Sequence, residues 1–302
     1  MNELEDRVAV ITGAGRGLGR EHALLFARAG AKVVVNDLGG NPDGTGADTA
    51  PAQQVVDEIV AAGGQAVANY DDVSDWDGAG RLINQAVETY GDLDVLVNNA
   101  GILRDRMLVN MSVEEWDAIM AVHLRGHFCP TRWAAGYWRD QAKAGKQRDR
   151  AVVNTSSTSG LFGNVGQTNY GAAKTGIATF TMIADAELGR YGVRVNAIAP
   201  AAETRLTLAL NPDRPEPPPG EWSFMDPANV SPFVAYLSTE GCPIHGRIFL
   251  VMGGVVSLFQ PFAIVDTITK DGRWELPELA EQAAHFADVP FTLANPFAQP
   301  GS

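Results

Sequence analysis

Near its beginning the chain reads Arg7-Val8-Ala9-Val10-Ile11-Thr12-Gly13-Ala14-Gly15-Arg16-Gly17-Leu18-Gly19. The first six of these residues form a short run rich in strand-forming side chains, and the run stops at a glycine. Residues 18–29 then carry apolar side chains at helical spacing, and Gly30 is placed to end that helix. A second apolar run follows at 31–37. This strand–helix–strand order predicts a parallel sheet with a right-handed crossover.

The glycines between the first strand and the first helix predict a nucleotide-binding turn. Gly13, Gly17 and Gly19 allow the backbone to turn tightly and to approach a pyrophosphate, which the positive end of the helix dipole attracts. Arg16 and Leu18 belong to the same predicted cofactor site. A glycine pattern seen by itself would equally fit a plain strand–helix turn, but its position between a strand and a helix favours the nucleotide.

An acidic residue, Asp37, ends the second strand eighteen residues after Gly19. A carboxylate at this position accepts hydrogen bonds from the ribose hydroxyls and repels a 2′-phosphate, which favours NAD over NADP. One alternative is a turn aspartate before Gly39. Another is that Arg16 pairs with the phosphate of NADP. We take Asp37 as the stronger determinant and predict NAD as the cofactor.

Strands and helices alternate along the rest of the chain. The fold class predicted from them is α/β: a doubly wound, seven-stranded parallel sheet of the Rossmann type, with helices on both faces and a C-terminal extension. Residues 1–302 are expected to form a single domain. Within it we expect a core over 5–256, a proline-rich flap over the substrate at 202–230, and an extension at 258–302 with one helix near 277–286. Further strands are expected at 65–69, 93–98, 151–155, 193–198 and 247–252, and further helices at 52–62, 75–90, 112–139, 168–190 and 229–239.

A second motif, Tyr170-Gly171-Ala172-Ala173-Lys174, carries the chemistry, with Ser157 thirteen positions upstream. Tyr170 and Lys174 lie on the same helix face at i and i+4. A tyrosine pKa of about 10 is lowered by a neighbouring ammonium, which predicts a base, and Ser157 is placed to hydrogen-bond the substrate oxygen. Such a pair also occurs by chance, and Ser156 is an alternative hydroxyl. Together with the glycine turn, however, the motif predicts hydride transfer between nicotinamide and a carbinol or carbonyl carbon.

Composition limits the partners of the chain. Its 302 residues carry a formal charge of −13, which argues against nucleic acid and against anionic membranes as partners. It contains no apolar run of eighteen residues, and its first residues lack the apolar region of a signal peptide, so we expect no membrane span. Cys129 and Cys242 are expected to be buried free thiols in a reducing compartment, and the expected location is cytoplasmic. No metal site is expected.

These motifs resemble those of the short-chain dehydrogenase/reductase family, and the resemblance covers residues 5–256. The matches are the glycine turn at 12–19, Asp72-Val73, Asn98-Asn99-Ala100-Gly101, Ser157, Tyr170, Lys174, and Asn196 with Pro200. The resemblance implies that Asp72 contacts adenine, that Asn99 supports the ribose and the central sheet, and that Thr204 reaches the nicotinamide side. It also places Val73, Ala100, Gly101 and Pro200 in the cofactor site.

The stretches 35–40, 99–106, 122–126 and 163–167 are similar to a narrower branch, the dehydrogenase domain of peroxisomal multifunctional enzyme type 2. That domain oxidises (3R)-hydroxyacyl-CoA with NAD, and its stand-alone bacterial relatives act on acyl-CoA or steroid alcohols. The resemblance therefore implies an acyl-CoA substrate. It also implies a homotetramer or homodimer formed through the helices near 112–139 and 170–190. His123 stands where the family usually has an asparagine that braces a proton-relay water, which leaves that part of the relay open.

Three functions stay open at this stage. The first is an NAD-dependent 3-hydroxyacyl-CoA dehydrogenase, the second is a 17β-hydroxysteroid or other secondary-alcohol dehydrogenase, and the third is a non-catalytic NAD-binding partner protein. Arg104 and Arg106 are candidates for CoA phosphates, or else surface arginines paired with Asp105 or Glu114. An apolar substrate slot and ordinary core packing explain the remaining apolar candidates equally well, namely Met107, Leu108, Leu161, Phe162, Leu206 and Leu208.

Overall fold

The computed structural model describes residues 3–203, 222–260 and 262–289. Within these residues, eight strands form one sheet. They are β1 (Val8–Thr12), β2 (Lys32–Asn36), β3 (Gln65–Asn69), β4 (Val95–Asn98), β5 (Arg150–Thr155), β6 (Val193–Pro200), β7 (Ile248–Met252) and β8 (Val255–Leu258). The predicted doubly wound sheet is confirmed: the strand order is β3-β2-β1-β4-β5-β6-β7-β8, and β1 to β7 pair in parallel.

The eighth strand is an addition to the seven that the sequence predicted. β8 pairs antiparallel with β7, and Met252 lies opposite Val255 in the register. The tight turn between the two strands uses Gly253, whose φ of +51° lies in the left-handed region that glycine enters without strain. The side chains of β8 are exposed, so the strand lacks the buried apolar pattern by which β1 to β7 can be recognised in the sequence.

The described helices follow the predicted order. They are α1 (Gly17–Arg28), α2 (Ala50–Ala61), α3 (Trp76–Tyr90), α4 (Val113–Ile119), α5 (Gly126–Lys143), α6 (Thr158–Leu161), α7 (Thr168–Leu188), α8 (Ser231–Leu237) and α9 (Leu276–Ala283). The single helix expected over 112–139 is in fact two α-helices, α4 and α5, joined by a π-helical turn at Met120–Arg125. Ser112 is the N-cap residue of α4 and forms a capping box, in which its side chain accepts from the backbone N–H of Glu115.

The sheet is covered by helices on both faces. On one face α1, α2 and α8 pack against alternate strand residues, and Phe26 of α1 is fully buried there. On the other face α3, α5 and α7 pack against the intervening strand residues, with Trp138 of α5 among the largest buried side chains. Burying one such side chain contributes about 1.5–3 kcal/mol. Because β1, β2 and β4 to β7 are covered on both faces, they read as nearly continuous apolar runs, whereas β3 at the edge of the sheet is largely half-buried.

The strand order reverses between β1 and β4, because β2 and β3 lie on one side of β1 and the later strands on the other. In doubly wound sheets, ligands bind in the crevice outside the carboxyl ends of the strands at such a reversal. The predicted site residues follow those ends: Gly13 follows β1, Asp37 follows β2, and Asn99 follows β4. The topology therefore brings residues far apart in the sequence to one edge of the sheet.

The chain divides into two units, residues 1–258 and 259–302. The first contains the whole sheet. The second contains α9, close to the helix expected near 277–286, and an ion pair between His285 and Asp266 at 2.9 Å. The segment 204–221 of the expected flap lies outside the described residues. Among the residues that are described, no helix is long and apolar enough to cross a membrane.

Candidate active site

A cleft of about 320 Å³ opens at the carboxyl ends of the strands. It lies within the first unit, and it brings together most of the residues that the sequence predicted for cofactor and catalysis. Gly19, in the first turn of α1, does not line it, and Thr204 falls outside the described residues. The predicted residues that line the cleft are Gly13, Arg16, Gly17, Leu18, Asp37, Asp72, Val73, Asn99, Ala100, Gly101, Ser157, Tyr170, Lys174 and Pro200.

The glycine turn is shaped by close packing against the segment after β4. A Cβ on Gly13 would lie 2.7 Å from the Cα of Ala100, and a Cβ on Gly19 would lie 2.2 Å from the carbonyl oxygen of Gly13. Gly13 also has a φ of +62°. Both positions therefore exclude a side chain. The turn leaves the N-terminus of α1 at the cleft, where Gly17 and Leu18 line the wall.

The N-terminus of α1 suits an anion. The side chain of the N-cap residue, Arg16, makes no capping hydrogen bond, and the first turn contains no acidic residue. The first N–H groups of a helix have no intrahelical acceptor, and the helix dipole adds a positive potential there. A dinucleotide pyrophosphate matches both properties. The residues present thus fit the phosphate part of such a cofactor.

Asp37 is held at the cleft by two backbone N–H groups. Its Oδ2 accepts from Gly15 at 2.7 Å and its Oδ1 accepts from Gly39 at 2.7 Å. A carboxylate oxygen has two acceptor positions, so each oxygen keeps one for another donor. The arrangement fixes the negative charge at the end of β2, where it can accept ribose hydroxyls and repel a phosphate.

Two further predicted residues have structural partners. The Asn99 side chain donates to the carbonyl oxygens of Thr12 and Gly13, at 3.0 Å and 3.2 Å, and so ties the segment after β4 to the glycine turn. The exposed Asp72 accepts from the backbone N–H and the hydroxyl of Ser74, both at 2.8 Å. These bonds shape the two walls of the cleft on either side of β1.

The two adjacent serines after β5 have different partners. Ser156 is buried, and its hydroxyl donates to the carbonyl oxygen of Lys174 at 2.7 Å, which fastens β5 to α7. Ser157 lies at the N-terminus of α6, where its Oγ accepts from the backbone N–H of Ser159 at 3.1 Å. Burial raises the pKa of the Tyr170 phenol, and the nearby Ser157 hydroxyl acts in the opposite direction. Of the two hydroxyls, Ser157 is therefore the one beside the tyrosine.

Tyr170 and Lys174 lie one turn apart on α7, and burial dominates the ionisation of both. The Lys174 Nζ donates to the carbonyl oxygen of Thr155 at 2.6 Å and lies 5.4 Å from the centroid of the Tyr170 ring. Burial lowers the pKa of Lys174 to about 7. Burial also raises the pKa of Tyr170 to about 12, although its ring lines the cleft. The lowered tyrosine pKa expected from the sequence is thus not a property of the chain alone. The desolvation of the Tyr170 phenol outweighs the charge of Lys174, which is itself only half protonated at a pH of about 7.

The π-helical turn positions a histidine against this pair. The Nε2 of His123 lies 2.8 Å from the carbonyl oxygen of Ile102, and its ring meets the Tyr170 ring edge-on at 5.1 Å. Burial, with the nearby charge of Lys174, holds the pKa of His123 well below its ordinary value. A π turn adds one residue to a helical turn and is often found at functional sites. The local sequence gives no pattern that distinguishes it from α-helix.

His127 is a residue of this region that the sequence interpretation missed. It is buried one turn after His123, and its Nε2 lies 3.4 Å from the backbone nitrogen of Thr155. Burial lowers the pKa of His127 to about 3, and the charge of Lys174 acts in the same direction. Its position four residues after His123 was the available signal, since i and i+4 share one helix face.

The two arginines after β4 have partners in the structure. Arg106 donates to Glu115 Oε1 from two nitrogens, at 2.8 Å and 3.1 Å. Its acidic partner is therefore Glu115, and not Asp105 or Glu114 as the sequence analysis suggested. Arg104 donates from Nε to the carbonyl oxygen of Asp43 at 2.8 Å. Of the apolar candidates, Met107 and Leu108 are exposed, Leu161 and Phe162 are half-buried, and Leu206 and Leu208 lie outside the described residues.

A family model described as short chain dehydrogenase matches residues 7–215, which is more than half of the chain. The chain belongs to the short-chain dehydrogenase family. The resemblance seen in the motifs is thereby confirmed. The chain is an oxidoreductase that acts on CH–OH groups, and the cofactor of its family is a nicotinamide dinucleotide.

Individual members of the family are similar over nearly the whole chain. The chain is 47% identical over 285 residues to hydroxyacyl-CoA dehydrogenase ChsB1 of Mycobacterium tuberculosis, covering 92% of this chain and 87% of that one. A crystal structure of a short chain dehydrogenase from Mycobacterium avium superposes with a TM-score of 0.85 at 51% identity, covering 96% and 97% of the two chains.

A longer relative matches only in part. Peroxisomal multifunctional enzyme type 2 of Drosophila melanogaster is 46% identical over 242 residues, which cover 80% of this chain but 38% of that protein. Among the described residues, no group of three or more histidine, cysteine, aspartate or glutamate side chains is arranged to hold a metal ion.

Proposed function

We propose that this chain oxidises 3-hydroxyacyl-CoA to 3-oxoacyl-CoA with NAD⁺. The proposed substrate rests on the similarity to hydroxyacyl-CoA dehydrogenase ChsB1 over 92% of this chain. The meeting of Ser157, Tyr170 and Lys174 in the cleft beside the glycine turn supports the reaction. The same three groups would serve the reverse reduction, since an enzyme accelerates both directions of one equilibrium.

Asp37 supports NAD⁺ as the dinucleotide. Its carboxylate, fixed by Gly15 and Gly39, offers acceptors to two ribose hydroxyls and repels a 2′-phosphate. The N-terminus of α1 would hold the pyrophosphate, and the segment after β4 would border the nicotinamide half. When bound, the nicotinamide ring accepts the hydride that leaves the carbinol carbon.

The side chains in the cleft are proposed to bind and transfer the proton of the substrate hydroxyl. We assign Ser157 to hydrogen-bond the substrate oxygen while it changes from hydroxyl to carbonyl. Tyr170, beside Ser157, accepts the hydroxyl proton as the C–H bond breaks, and donates it back in the reduction. When Lys174 is protonated, its positive charge lies close to the Tyr170 ring.

The pH dependence follows from the two ionisations. Burial alone keeps Tyr170 protonated, with a pKa of about 12, and leaves Lys174 with a pKa of about 7. A phenolate forms only when positive charge faces it, which both a protonated Lys174 and the bound oxidised cofactor supply. Oxidation needs the phenolate and reduction needs the phenol. We therefore expect oxidation to accelerate as the pH rises towards the pKa of Tyr170 in the cofactor complex, and reduction to be favoured at lower pH, where Tyr170 is the proton donor.

Arg104 is the cation that we propose for the phosphates of CoA. Arg106 is already neutralised by Glu115. In the part of the chain that the structure describes, Arg104 is engaged only through Nε, by the carbonyl oxygen of Asp43. Its two terminal nitrogens keep the fork geometry with which arginine binds phosphate oxygens.

The test is formation of the reduced dinucleotide, followed at about 340 nm. The substrates are a short 3-hydroxyacyl-CoA, a long one and a 17β-hydroxysteroid, each with NAD⁺, which gives NADH, and with NADP⁺, which gives NADPH. The proposal predicts turnover of at least one CoA ester with NAD⁺. Turnover of the steroid alone would mean that the substrate is a steroid alcohol and not an acyl-CoA. Turnover with NADP⁺ alone would mean that the cofactor is NADP⁺ and not NAD⁺. A lack of turnover of both CoA esters under all conditions contradicts the proposal.

We also propose that the protein is a homotetramer or homodimer. Apolar side chains are exposed on the two long helices: Phe128 on α5 is 44% exposed and Ile183 on α7 is 54% exposed. A second copy that covers these helices would remove them from water. Sedimentation of the wild-type protein as a monomer at micromolar concentration contradicts this proposal.

A further inference from the structure

A junction joins the loop after β4 to the start of the catalytic helix α7. The backbone N–H of Arg106 donates to the carbonyl oxygen of Gly166 at 2.8 Å, and Arg106 pairs with Gln167 in an isolated parallel bridge. The Asn169 side chain donates to the carbonyl oxygens of Arg104 and Glu115, at 3.0 Å and 3.2 Å. The loop thus lies against the residues that immediately precede Tyr170.

Asp105 is the carboxylate at the centre of this junction. Its Oδ2 accepts from the Gln167 amide at 2.8 Å. Its Oδ1 is buried and has no hydrogen-bond partner among the residues that the structure describes. The neighbouring arginines face other groups, since Arg104 binds the carbonyl oxygen of Asp43 and Arg106 binds Glu115. Among the described residues, neither arginine forms an ion pair with Asp105.

The charge of Asp105 acts on Tyr170. It raises the pKa of the phenol, in the same direction as burial and against the hydrogen bond from Ser157. The other groups that face Tyr170 are Lys174, 5.4 Å from the ring centroid, and the buried His123 ring at 5.1 Å. For Lys174 the cause of the lowered pKa is burial.

We propose that Asp105 is a positioning residue with two separable roles: through Gln167 it fastens the loop after β4 to the start of α7, and through its charge it opposes the phenolate on Tyr170. The inference rests on the proposed role of Tyr170 as proton acceptor. By making the phenolate harder to form, the charge keeps Tyr170 a proton donor until positive charge has entered the cleft. It thereby sets the pH at which the residue changes from donor to acceptor.

The two roles predict opposite behaviour in two variants. In Asp105→Asn the side-chain oxygen still accepts from Gln167, but the charge is gone. In Gln167→Met the charge stays, but the hydrogen bond is lost. Asp105→Asn should therefore change the ionisation of Tyr170 and leave the loop attached. Gln167→Met should loosen the loop and should not lower the pKa of Tyr170.

Neither readout needs the substrate, so failure of this inference is distinct from failure of the proposed function. The ionisation is read by ¹³Cζ-tyrosine NMR between pH 6 and 11 on the full chain, saturated with whichever of NAD⁺ or NADP⁺ it binds. Tyr170→Phe identifies the signal among the six tyrosines. The attachment of the loop is read by hydrogen exchange of the Arg106 amide.

We expect Asp105→Asn to lower the pKa of Tyr170 by about half a unit to one unit, with unchanged exchange at Arg106. Where a secondary alcohol is turned over, the acid limb of kcat/KM should move to lower pH by the same amount. We expect Gln167→Met to speed exchange at Arg106 at least tenfold, with no downward shift of the pKa. An unchanged or raised Tyr170 pKa in Asp105→Asn overturns the charge role, and unchanged exchange in Gln167→Met overturns the tether.

Discussion

Burial and charge compete at Tyr170 and Lys174, and the outcome explains why the residues act as a pair. A buried phenol resists losing its proton and a buried amine resists gaining one, so each group alone favours its neutral form. The pKa values of about 12 and about 7 are the result. The charged pair becomes favourable only when both charges are present together or when a cation enters the cleft. If Tyr170 is the base, as we propose, it stays protonated until a cationic cofactor enters the cleft.

At Asp37 a single substitution is expected to change the choice of cofactor. Asp37→Ser removes the charge that repels a 2′-phosphate and the acceptors held by Gly15 and Gly39. We expect kcat/KM for NAD⁺ to fall at least tenfold and the ratio of NADP⁺ to NAD⁺ turnover to rise, as measured by initial rates with both dinucleotides.

Arg16 provides the matched control for that substitution. The double variant Asp37→Ser/Arg16→Ala should lose the gained NADP⁺ activity, because arginine is the cation of the glycine turn that can pair with the phosphate. An unchanged ratio in Asp37→Ser would mean that the carboxylate does not face the ribose.

At the scale of elements, the glycine turn and α1 act as one unit with the segment after β4. A Cβ on Gly19 would meet the carbonyl oxygen of Gly13 at 2.2 Å and the Asn99 amide at 2.6 Å, and both neighbours are held by other bonds. The substitution Gly19→Ala must therefore displace the N-terminus of α1.

We expect Gly19→Ala to lower the free energy of unfolding by about 1–3 kcal/mol and to weaken dinucleotide binding at least tenfold. Urea denaturation and fluorescence titration with NADH measure the two effects. Gly63→Ala is a matched control outside the site, since a Cβ there meets nothing within 4 Å. The only expected effect of Gly63→Ala is backbone strain at a positive φ, so this variant should leave NADH binding unchanged. Normal NADH binding in Gly19→Ala would contradict the proposed pyrophosphate site.

The sequence predicts some elements of the fold and not others. Six of the seven parallel strands were predictable because burial on both faces makes them nearly continuous apolar runs, and the turn at 12–19 was predictable because glycine is required there sterically. The π turn at Met120–Arg125 was not, because a local apolar pattern cannot distinguish it from the α-helix on either side. β8 was missed because its exposed side chains have no buried face.

The same limit applies to the site. Ser157, Tyr170 and Lys174 could be found by spacing, because the chemistry requires those residue types on adjacent elements. His127 and the bond between Asp105 and Gln167 depend on which segments meet in space. The direction of the Tyr170 pKa shift depends on how deeply the ring is buried, and no sequence spacing reports burial.

At the scale of the whole molecule, three buried histidines make stability depend on pH. His22, His123 and His127 are each 1% exposed or less. Burial lowers the pKa of His22 and His127 to about 3 and that of His123 well below its ordinary value. The unfolded chain therefore binds protons at these sites below pH 6.5 while the folded chain does not. Stability is full above pH 6.5 and falls as the pH drops towards 3.

We expect the free energy of unfolding to decline by up to about 1.4 kcal/mol per pH unit for each histidine in that window. Urea denaturation at pH 7.0, 6.0 and 5.0 measures the slope. His22, whose Nδ1 lies 2.8 Å from the Ser231 hydroxyl, is far from the catalytic residues in sequence and is the one to replace. His22→Gln should show a smaller slope than wild type. Equal slopes would mean that His22 is protonated in the folded protein.

The carboxyl ends of β1 to β6 meet at one cleft. The glycine turn, the acidic residue after β2 and the start of α7 come from distant parts of the sequence, and the reversal of strand order brings them together there. The central claim that follows is that this cleft uses Tyr170 to move the proton in a dehydrogenation of a secondary alcohol.

The most direct test compares the wild type with Tyr170→Phe in the same assay, with 3-hydroxyacyl-CoA and NAD⁺ at pH 8. The phenylalanine keeps the ring against His123 and removes only the hydroxyl. The account predicts that NADH formation falls by about 10²–10⁴-fold while NADH binding stays within threefold of wild type. Tyr170→Phe turnover at close to the wild-type rate would contradict the account.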